Sequence, residues 1–441
     1  MSDAAIVREI AQPLTRSPDD YHDLISLIGD ARFVLLGEAS HGTDEFYFER
    51  AQITKRLIAE KGFSVVAIEA DWPDAYRVHR YVRGVTIDSN ANEAFSGFRR
   101  FPTWMWRNTV VVEFVEWLRA FNQKLDPKKA PAGFYGMDLY SLHASIDAVL
   151  SYLNKVDPAA ATRARRRYSC FEHFSREPHE YGYAATAGII ESCEDEVVDQ
   201  LAEIQRKAGE FLTRDGQAGA DELFFAEQNA RLVKNAEQYY RSMFRGRASS
   251  WNLRDRHMTE TIEALVAHFN GSRQPKAIVW AHNSHLGDAR ATEMSERGEL
   301  NVGQLIRERF GKESVLVGFT THHGTVTAAS DWGERAERKR VRPALRGSYE
   351  ELLHETTLPR FWINLRDAGK RSDVLHDSRL ERAIGVIYRP ETERVSHYFQ
   401  ARLAEQFDAI IHIDETRAVE PLERTSIWDE GELPETYPFA V

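Results

Sequence analysis

The stretch RFVLLGEASHG, residues 32–42, joins a short apolar run to a polar loop bracketed by Gly37 and Gly42. Further apolar runs follow along the chain: FSVVAI (63–68), GFYGM (133–137), AIVW (277–280), VLVGF (315–319), FWINL (361–365), IGVIY (384–388) and AIIHI (409–413). These runs do not alternate with polar residues, so most of them are expected to be strands buried on both faces. Helical patterns separate the runs, which is typical of an α/β fold with a mostly parallel or mixed central sheet flanked by helices.

The strand pattern disappears between residues 141 and 272, where apolar residues recur at helical spacing, as in 192–211 and 221–244. The sequence therefore predicts one domain over residues 1–441. Its α/β core would occupy about 20–140 and 275–422, with a large helical insertion at about 141–272 and a surface tail at 423–441.

Composition excludes several classes of protein. The chain has 441 residues and a net charge of −11, so its overall field repels phosphate backbones and argues against a nucleic-acid partner. No apolar run approaches the length needed to cross a membrane, and the start, MSDAAIVREIAQPLTR, lacks the apolar run of a secretory signal, so neither membrane spanning nor export is expected. Cys170 and Cys193 are too few for a disulfide framework, and a cytoplasmic location is expected. A monomer and a homodimer both stay open.

Ionisable residues collect directly after five of the apolar runs. They are Glu38 and His41, Glu69 and Asp71, Asp138, His282 and His285, and His322 and His323. Ligands of parallel α/β sheets bind outside the carboxyl ends of the strands, where the connecting loops converge. We therefore predict that one cleft holds all of these side chains.

The loop GEASHG (37–42) contributes the best candidate for a general base. Its two glycines permit backbone conformations that other residues avoid, so Glu38 and His41 could point into one cleft. A carboxylate beside a histidine fixes the tautomer and stabilises the imidazolium, which makes His41 the expected base. Ser40 is not expected to be a nucleophile, because the G-x-S-x-G elbow is absent. Arg50, on the following helix, could hold a carboxylate ionised, stabilise an oxyanion or be a solvated charge.

Three other segments leave alternatives open. In WAHNSHLGD (280–288), His282 and His285 suit metal ligation as well as transition-state hydrogen bonding, and a divalent metal shared with Glu38, Glu69 and His41 is one possibility. The segments RRFPTWMWRN (99–108) and WNLRDRHM (251–258) suit a bulky, partly apolar ligand, or alternatively a packing cluster with salt bridges, which is slightly favoured.

Together, the segments LLGEASHGTDEF, VVAIEADWPDA, FPTWMWRN, YGMDLYS and VWAHNSHLGD resemble the erythromycin esterase family, from about Ala31 to about Leu422. The resemblance implies an α/β core, a helical insertion and a deep cleft in which a macrolide lactone is hydrolysed. It also implies that His41 deprotonates water while Glu38 and Glu69 orient it or share its charge. Arg50, His282 and His285 match the remaining family positions.

The leading hypothesis is thus a hydrolase that opens an ester or lactone of a small-molecule substrate without a cofactor. Residues expected to bind the substrate are Asp71, Trp104, Trp106, Arg107 and Asp138. One alternative is a metal-dependent hydrolase of a peptide or phosphoester bond. Another is a receptor for a small molecule or haem, with His282 or His285 as a ligand.

Overall fold

The computed structural model describes residues 2–17, 19–126, 129–174, 178–215, 219–269, 274–368 and 373–430. Its strands are β1 (Gln12–Pro13), β2 (Phe33–Leu36), β3 (Val65–Asp71), β4 (Gly133–Asp138), β5 (Ala277–Trp280), β6 (Ser314–Thr320), β7 (His323–Ala328), β8 (Glu337–Val341), β9 (Arg360–Asn364), β10 (Arg379–Arg382), β11 (Tyr398–Ala401), β12 (Ala409–Ile413) and β13 (Glu415–Thr416).

Eight of these strands form the central sheet, in the order β1-β9-β12-β6-β2-β5-β3-β4. The strands from β12 to β4 run parallel to one another, and β9 pairs antiparallel with both β12 and β1. Successive residues of β2 explain why its sequence does not alternate. Phe33 and Leu35 pack into one apolar core, whereas Val34 and Leu36 pack into the other, so both faces of the strand are covered. The predicted α/β sheet is confirmed.

Helices cover both faces of the sheet. Those before β5 are α1 (Asp3–Ile10), α2 (His22–Ile28), α3 (Asp44–Lys61), α4 (Trp72–Val82), α5 (Ala91–Ala94), α6 (Thr109–Gln123), α7 (Leu142–Val156), α8 (Pro158–Tyr168), α9 (Pro178–Thr186), α10 (Glu194–Arg206), α11 (Ala208–Asp215), α12 (Gly219–Ser242) and α13 (Arg247–His268). Those after β5 are α14 (Asn283–Leu286), α15 (Val302–Phe310), α16 (Tyr349–His354), α17 (Leu365–Ala368), α18 (Glu393–Ser396), α19 (Leu403–Gln406) and α20 (Ser426–Glu430). No helix among the described residues is both long and apolar enough to span a bilayer.

The chain between β4 and β5 carries α7 to α13, and strands are absent from the part of it that the structure describes. Its helices pack on one another, and α13 packs on β4, which borders the sheet on that side. The domain bounds given above stay a prediction. Residues 431–441 of the predicted tail lie outside the described residues. The part before them is anchored, because Trp428 is buried and its Nε1 donates to Thr327 Oγ1 at 2.9 Å.

One expectation about local structure was wrong. Residues 384–388 are not a strand, since Ile384 and Ile387 form only isolated bridges to Ser40 and Ala329. These bridges connect the segment to the loop after β2 and to the residue that follows β7. The β7–β8 hairpin and the β10–β11 pair were not predicted, because their strands carry charged or small residues and are only partly buried.

The two cysteines, whose number had not suggested a framework, are joined by a disulfide between Cys170 and Cys193. It links the segment after α8 to the N-terminal end of α10. Disulfides are rare in cytosolic proteins, and the cytoplasmic location stays a prediction.

Candidate active site

Four neighbouring strands of the sheet, β2, β5, β3 and β4, end at one edge and place their following residues around a single cleft. The cleft has a volume of about 430 Å³. Seven of the predicted site residues line it: His41, Glu69, Asp71, Trp106, Asp138, His282 and His285. The convergence predicted for these strand ends is therefore present in the structure.

The loop between β2 and α3 needs glycine for a different reason from the one expected. Neither Gly37 nor Gly42 has a positive φ angle. A side chain at Gly37 would instead collide with Asn283 Oδ1, and one at Gly42 with the backbone oxygen of Thr327. The glycines thus allow close approach of neighbouring segments to the loop. Ser40 is buried, with its Oγ against Thr43 Oγ1, and it does not line the cleft.

Glu38 holds the His41 ring. Its Oε1 lies 3.0 Å from His41 Nδ1, and its Oε2 accepts a hydrogen bond of 2.6 Å from Arg50 Nη2. The side chains of Glu38 and Arg50 are completely buried behind His41 and do not line the cleft. With Nδ1–H donating to Glu38, the second ring nitrogen, Nε2, is free to accept a proton.

Arg50 acts through Glu38, since it is not placed to contact a substrate in the cleft. Its guanidinium lies 4.5 Å from the centre of the Tyr47 ring and 5.1 Å from that of Trp280. Its Nε and Nη1 are buried and have no hydrogen-bond partner within the described chain. Aromatic faces and one carboxylate therefore compensate this charge, which is consistent with the expectation that Arg50 keeps a carboxylate ionised.

A second network surrounds Glu69. Arg254 Nη2 donates to Glu69 Oε1 and to Asp138 Oδ2, each at 2.7 Å, and the backbone N–H of His282 donates to Glu69 Oε2 at 2.9 Å. Burial alone would raise the pKa of Glu69, but the charges of His285, His41 and Arg254 hold that pKa well below its usual range. Glu69 is therefore an ionised carboxylate at neutral pH.

His285 is fixed by its partners on every side. Its Nδ1 lies 2.9 Å from Oδ1 of the buried Asp255, and the Trp251 ring stacks on it at 4.5 Å. Its Nε2 is 3.0 Å from Arg254 Nη1 and 3.4 Å from Glu69 Oε1. Burial alone would lower the pKa of His285, but Asp255 and Glu69 raise that pKa above its ordinary value. The acids favour the imidazolium, and the Arg254 contact favours the neutral ring.

His282 presents an unused donor beside His41. Burial, followed by the charge of His41, lowers the pKa of His282 to about 3, so its ring is neutral. Its Nδ1 accepts from the backbone N–H of Ser284 at 3.2 Å, which places the ring proton on Nε2. That Nε2 is buried and makes no hydrogen bond of good geometry within the described residues, although the Ala39 carbonyl lies near the ring. The ring centres of His41 and His282 are 4.9 Å apart.

Some predicted residues take other positions. Trp104 is buried against Phe101, and Arg107 donates to the backbone oxygen of Phe95 and pairs with Glu423, so neither lines the cleft. Asp71 lines it but is paired with Arg100 at 2.9 Å. His322 and His323, which follow β6, also lie outside it.

Three residues of α13 complete the site but were not predicted: Trp251, Arg254 and Asp255. They lie within WNLRDRHM, for which a bulky ligand and a packing cluster with salt bridges are the two alternatives from sequence. Their spacing, i, i+3 and i+4, places them on one face of a helix, and this was the available signal. What the spacing could not show was that this face of α13 covers the ends of β3 and β4.

Comparisons with known proteins identify the family and the fold of the chain. The sequence model of the family described as erythromycin esterase matches residues 58–416. A Bacillus subtilis protein named "Putative hydrolase YbfO" is 24% identical over 92% of this chain and 89% of its own. The Escherichia coli protein named erythromycin esterase type II is 20% identical over 91% and 94% of the two chains. A crystal structure of a Bacillus cereus protein superposes with a TM-score of 0.77 at 21% identity, covering 96% of this chain and 98% of that one, which shows a shared fold.

Proposed function

The chain belongs to the erythromycin esterase family, and from this premise we propose that it hydrolyses an ester or lactone of a small molecule, with His41 activating water as a general base. Family membership and the relatives indicate a hydrolase; the ester bond is part of the proposal. The main support for the proposal is the contact of 3.0 Å between His41 Nδ1 and Glu38. His41 lines the cleft, and this contact leaves its Nε2 available as a proton acceptor.

The proposed reaction begins when His41 Nε2 takes a proton from a water molecule in the cleft. The hydroxide attacks the carbonyl carbon, and the carbonyl oxygen becomes an oxyanion that can accept a hydrogen bond from His282 Nε2–H. Glu38 stabilises the His41 imidazolium, and Arg50 keeps Glu38 ionised. When the carbon–oxygen bond breaks, the imidazolium returns its proton to the leaving alkoxide, so no covalent enzyme intermediate is needed.

The cleft suits a small molecule with both apolar and polar groups. Aromatic rings line it beside the reacting histidines, including Phe98, Phe101, Tyr140 and Trp332. Its volume of about 430 Å³ lies within the range of small-molecule sites. Two relatives carry the name of an erythromycin esterase, so a macrolide is one candidate substrate and other lactones are the alternatives.

The substrate is tested by incubating the purified protein with a panel of macrolides and simpler lactones and measuring addition of water by mass spectrometry. With the best substrate, His41→Ala is expected to lower kcat by about 10²- to 10⁴-fold and His282→Ala by about 10²- to 10³-fold. His268→Ala, which removes a histidine far along α13 from the site, is the control and should keep the parent rate. Hydrolysis by His41→Ala at the rate of the parent would contradict the proposal.

The earlier alternatives remain distinguishable. A divalent metal in the cleft stays a prediction, which chelation followed by the same assay tests, and a receptor without turnover would deplete ligand without forming product. The cytoplasmic location likewise stays a prediction, with the Cys170–Cys193 disulfide as the observation against it.

A further inference from the structure

His322 and His323 were expected to join the cleft because they follow an apolar run, but the structure places them in a separate cluster. The parallel strands β6 and β12 are neighbours, and their carboxyl ends bring His322 close to Asp414. His354, the last residue of α16, lies against both of them. The hydrolytic cleft contains none of these side chains.

Three side chains of this cluster bring candidate metal-binding atoms close together. The candidate ligand atoms of His322, His354 and Asp414 all lie within 4.8 Å of one another. His354 Nδ1 is 2.6 Å from Asp414 Oδ1, and the rings of His322 and His354 are stacked with their centres 3.8 Å apart. A third ring, that of the buried His412, places its Nε2 3.4 Å from the same Asp414 oxygen.

The backbone holds two of these ligands rigidly. The N–H groups of His322 and His323 donate to the Asp414 carbonyl at 3.2 and 3.1 Å, and the Asp414 N–H donates to the Pro359 carbonyl at 2.9 Å. His354 is the adaptable member, since 44% of its side chain is exposed. Because His322 and Asp414 are held in place and His354 is accessible to solvent, an ion can reach these three side chains from solvent.

We propose that His322, His354 and Asp414 form a zinc-binding site that is separate from the hydrolytic cleft. Two imidazoles and one carboxylate are a ligand set that zinc prefers, and a water molecule can complete four-coordination. His412 would act from outside the ligand set. Its Nδ1 contacts Thr320 Oγ1 at 2.9 Å, so the ring is held where its other nitrogen can orient the Asp414 carboxylate.

Binding requires one local change. A metal lies in the plane of each imidazole that coordinates it, and the His322 and His354 rings are nearly parallel, at 7°. One ion cannot therefore lie in both ring planes in their present orientation. The exposed His354 ring has to turn about χ2, a torsion with broad minima, and exchange its hydrogen bond to Asp414 for the metal. The ion would then connect β6, β12 and α16.

The test uses the full-length protein, stripped with a chelator and titrated with ZnCl₂ by isothermal calorimetry, with the melting temperature followed in parallel. The parent protein is expected to bind one zinc ion per chain at this site, with a melting temperature that rises with zinc concentration. His354→Ala and Asp414→Asn should each weaken binding by at least the ten- to hundredfold that loss of an outer partner costs. His354 is exposed, so its substitution is not expected to prevent folding.

Two control variants exclude other histidines. His268→Ala removes a histidine whose side chain is only 19% exposed and which is also paired with an aspartate, Asp221, at 2.9 Å, but which belongs to no such cluster among the described residues. His41→Ala removes a histidine of the cleft. Both should bind zinc as the parent does, and a zinc-soaked crystal should show its anomalous peak between His322, His354 and Asp414. Unchanged zinc affinity in His354→Ala and Asp414→Asn, no stoichiometric binding by the parent, or a peak elsewhere would each overturn the proposal.

Discussion

Replacing Glu38 by glutamine keeps the shape of the side chain but changes which ring nitrogen of His41 carries the proton. In the parent, both carboxylate oxygens accept hydrogen bonds, one from His41 Nδ1 at 3.0 Å and one from Arg50 Nη2 at 2.6 Å. An amide offers one acceptor and one donor. If the amide oxygen stays with Arg50, the NH₂ group faces His41 Nδ1. The histidine must then accept at Nδ1 and carry its proton on Nε2, where it cannot take one from water.

We expect Glu38→Gln to lower kcat by about 10³- to 10⁴-fold, because the corresponding change in serine proteases, which also traps the wrong tautomer, costs about 10⁴-fold in kcat. A 10⁴-fold loss corresponds to about 5.4 kcal/mol of transition-state stabilisation. KM should change little, since Glu38 does not line the cleft. The variant should also be less stable, by up to about 3–5 kcal/mol, because the buried Arg50 loses its carboxylate.

The assay is kcat and KM on the best lactone of the panel, at a temperature where circular dichroism shows the variant to be folded. Glu381→Gln is the matched control. Glu381 is also completely buried, but burial and the nearby Glu350 raise its pKa to about 8, so it is already uncharged at pH 7. This control should keep the parent kcat. A folded Glu38→Gln that retains more than a tenth of the parent kcat would refute the assignment of His41 as a base held by Glu38.

Three further predictions concern other buried groups. Asp255→Asn should lower kcat and shift its pH profile to lower pH, because the carboxylate at 2.9 Å is among the groups that raise the pKa of His285; a profile identical to that of the parent would contradict this role. Glu381→Gln should raise the melting temperature at pH 8 but not at pH 4. Because the pKa of Glu381 is raised from 4.5 to about 8 in the folded protein, the parent loses stability as pH rises through this range, and the glutamine variant does not. Equal gains in melting temperature at both pH values would contradict this raised pKa. Reducing the disulfide between Cys170 and Cys193, which are 23 residues apart, should lower the free energy of unfolding by about 3 kcal/mol, and denaturant titration with and without reductant measures it.

The apolar runs and the polar residues directly after them were enough to predict the α/β sheet and most of its strands. They also indicated the side chains that line the cleft on β2, β3, β4 and β5. This worked because a strand buried on both faces must be apolar throughout, and parallel strands present their carboxyl ends at one edge. Both constraints act within a few residues of sequence, so they can be read from the chain itself.

Contacts between distant segments were decided only by the tertiary structure. Arg254 and Asp255 join the site because α13 lies over the ends of β3 and β4, and no local pattern specifies which strand ends a helix covers. The same reason explains the error at His322, which follows a strand as the cleft histidines do. Its strand, β6, lies between β2 and β12, and the side chain meets Asp414 and His354 instead. Local sequence determines which residues emerge at the edge of a sheet, whereas strand order and helix packing determine which of them meet.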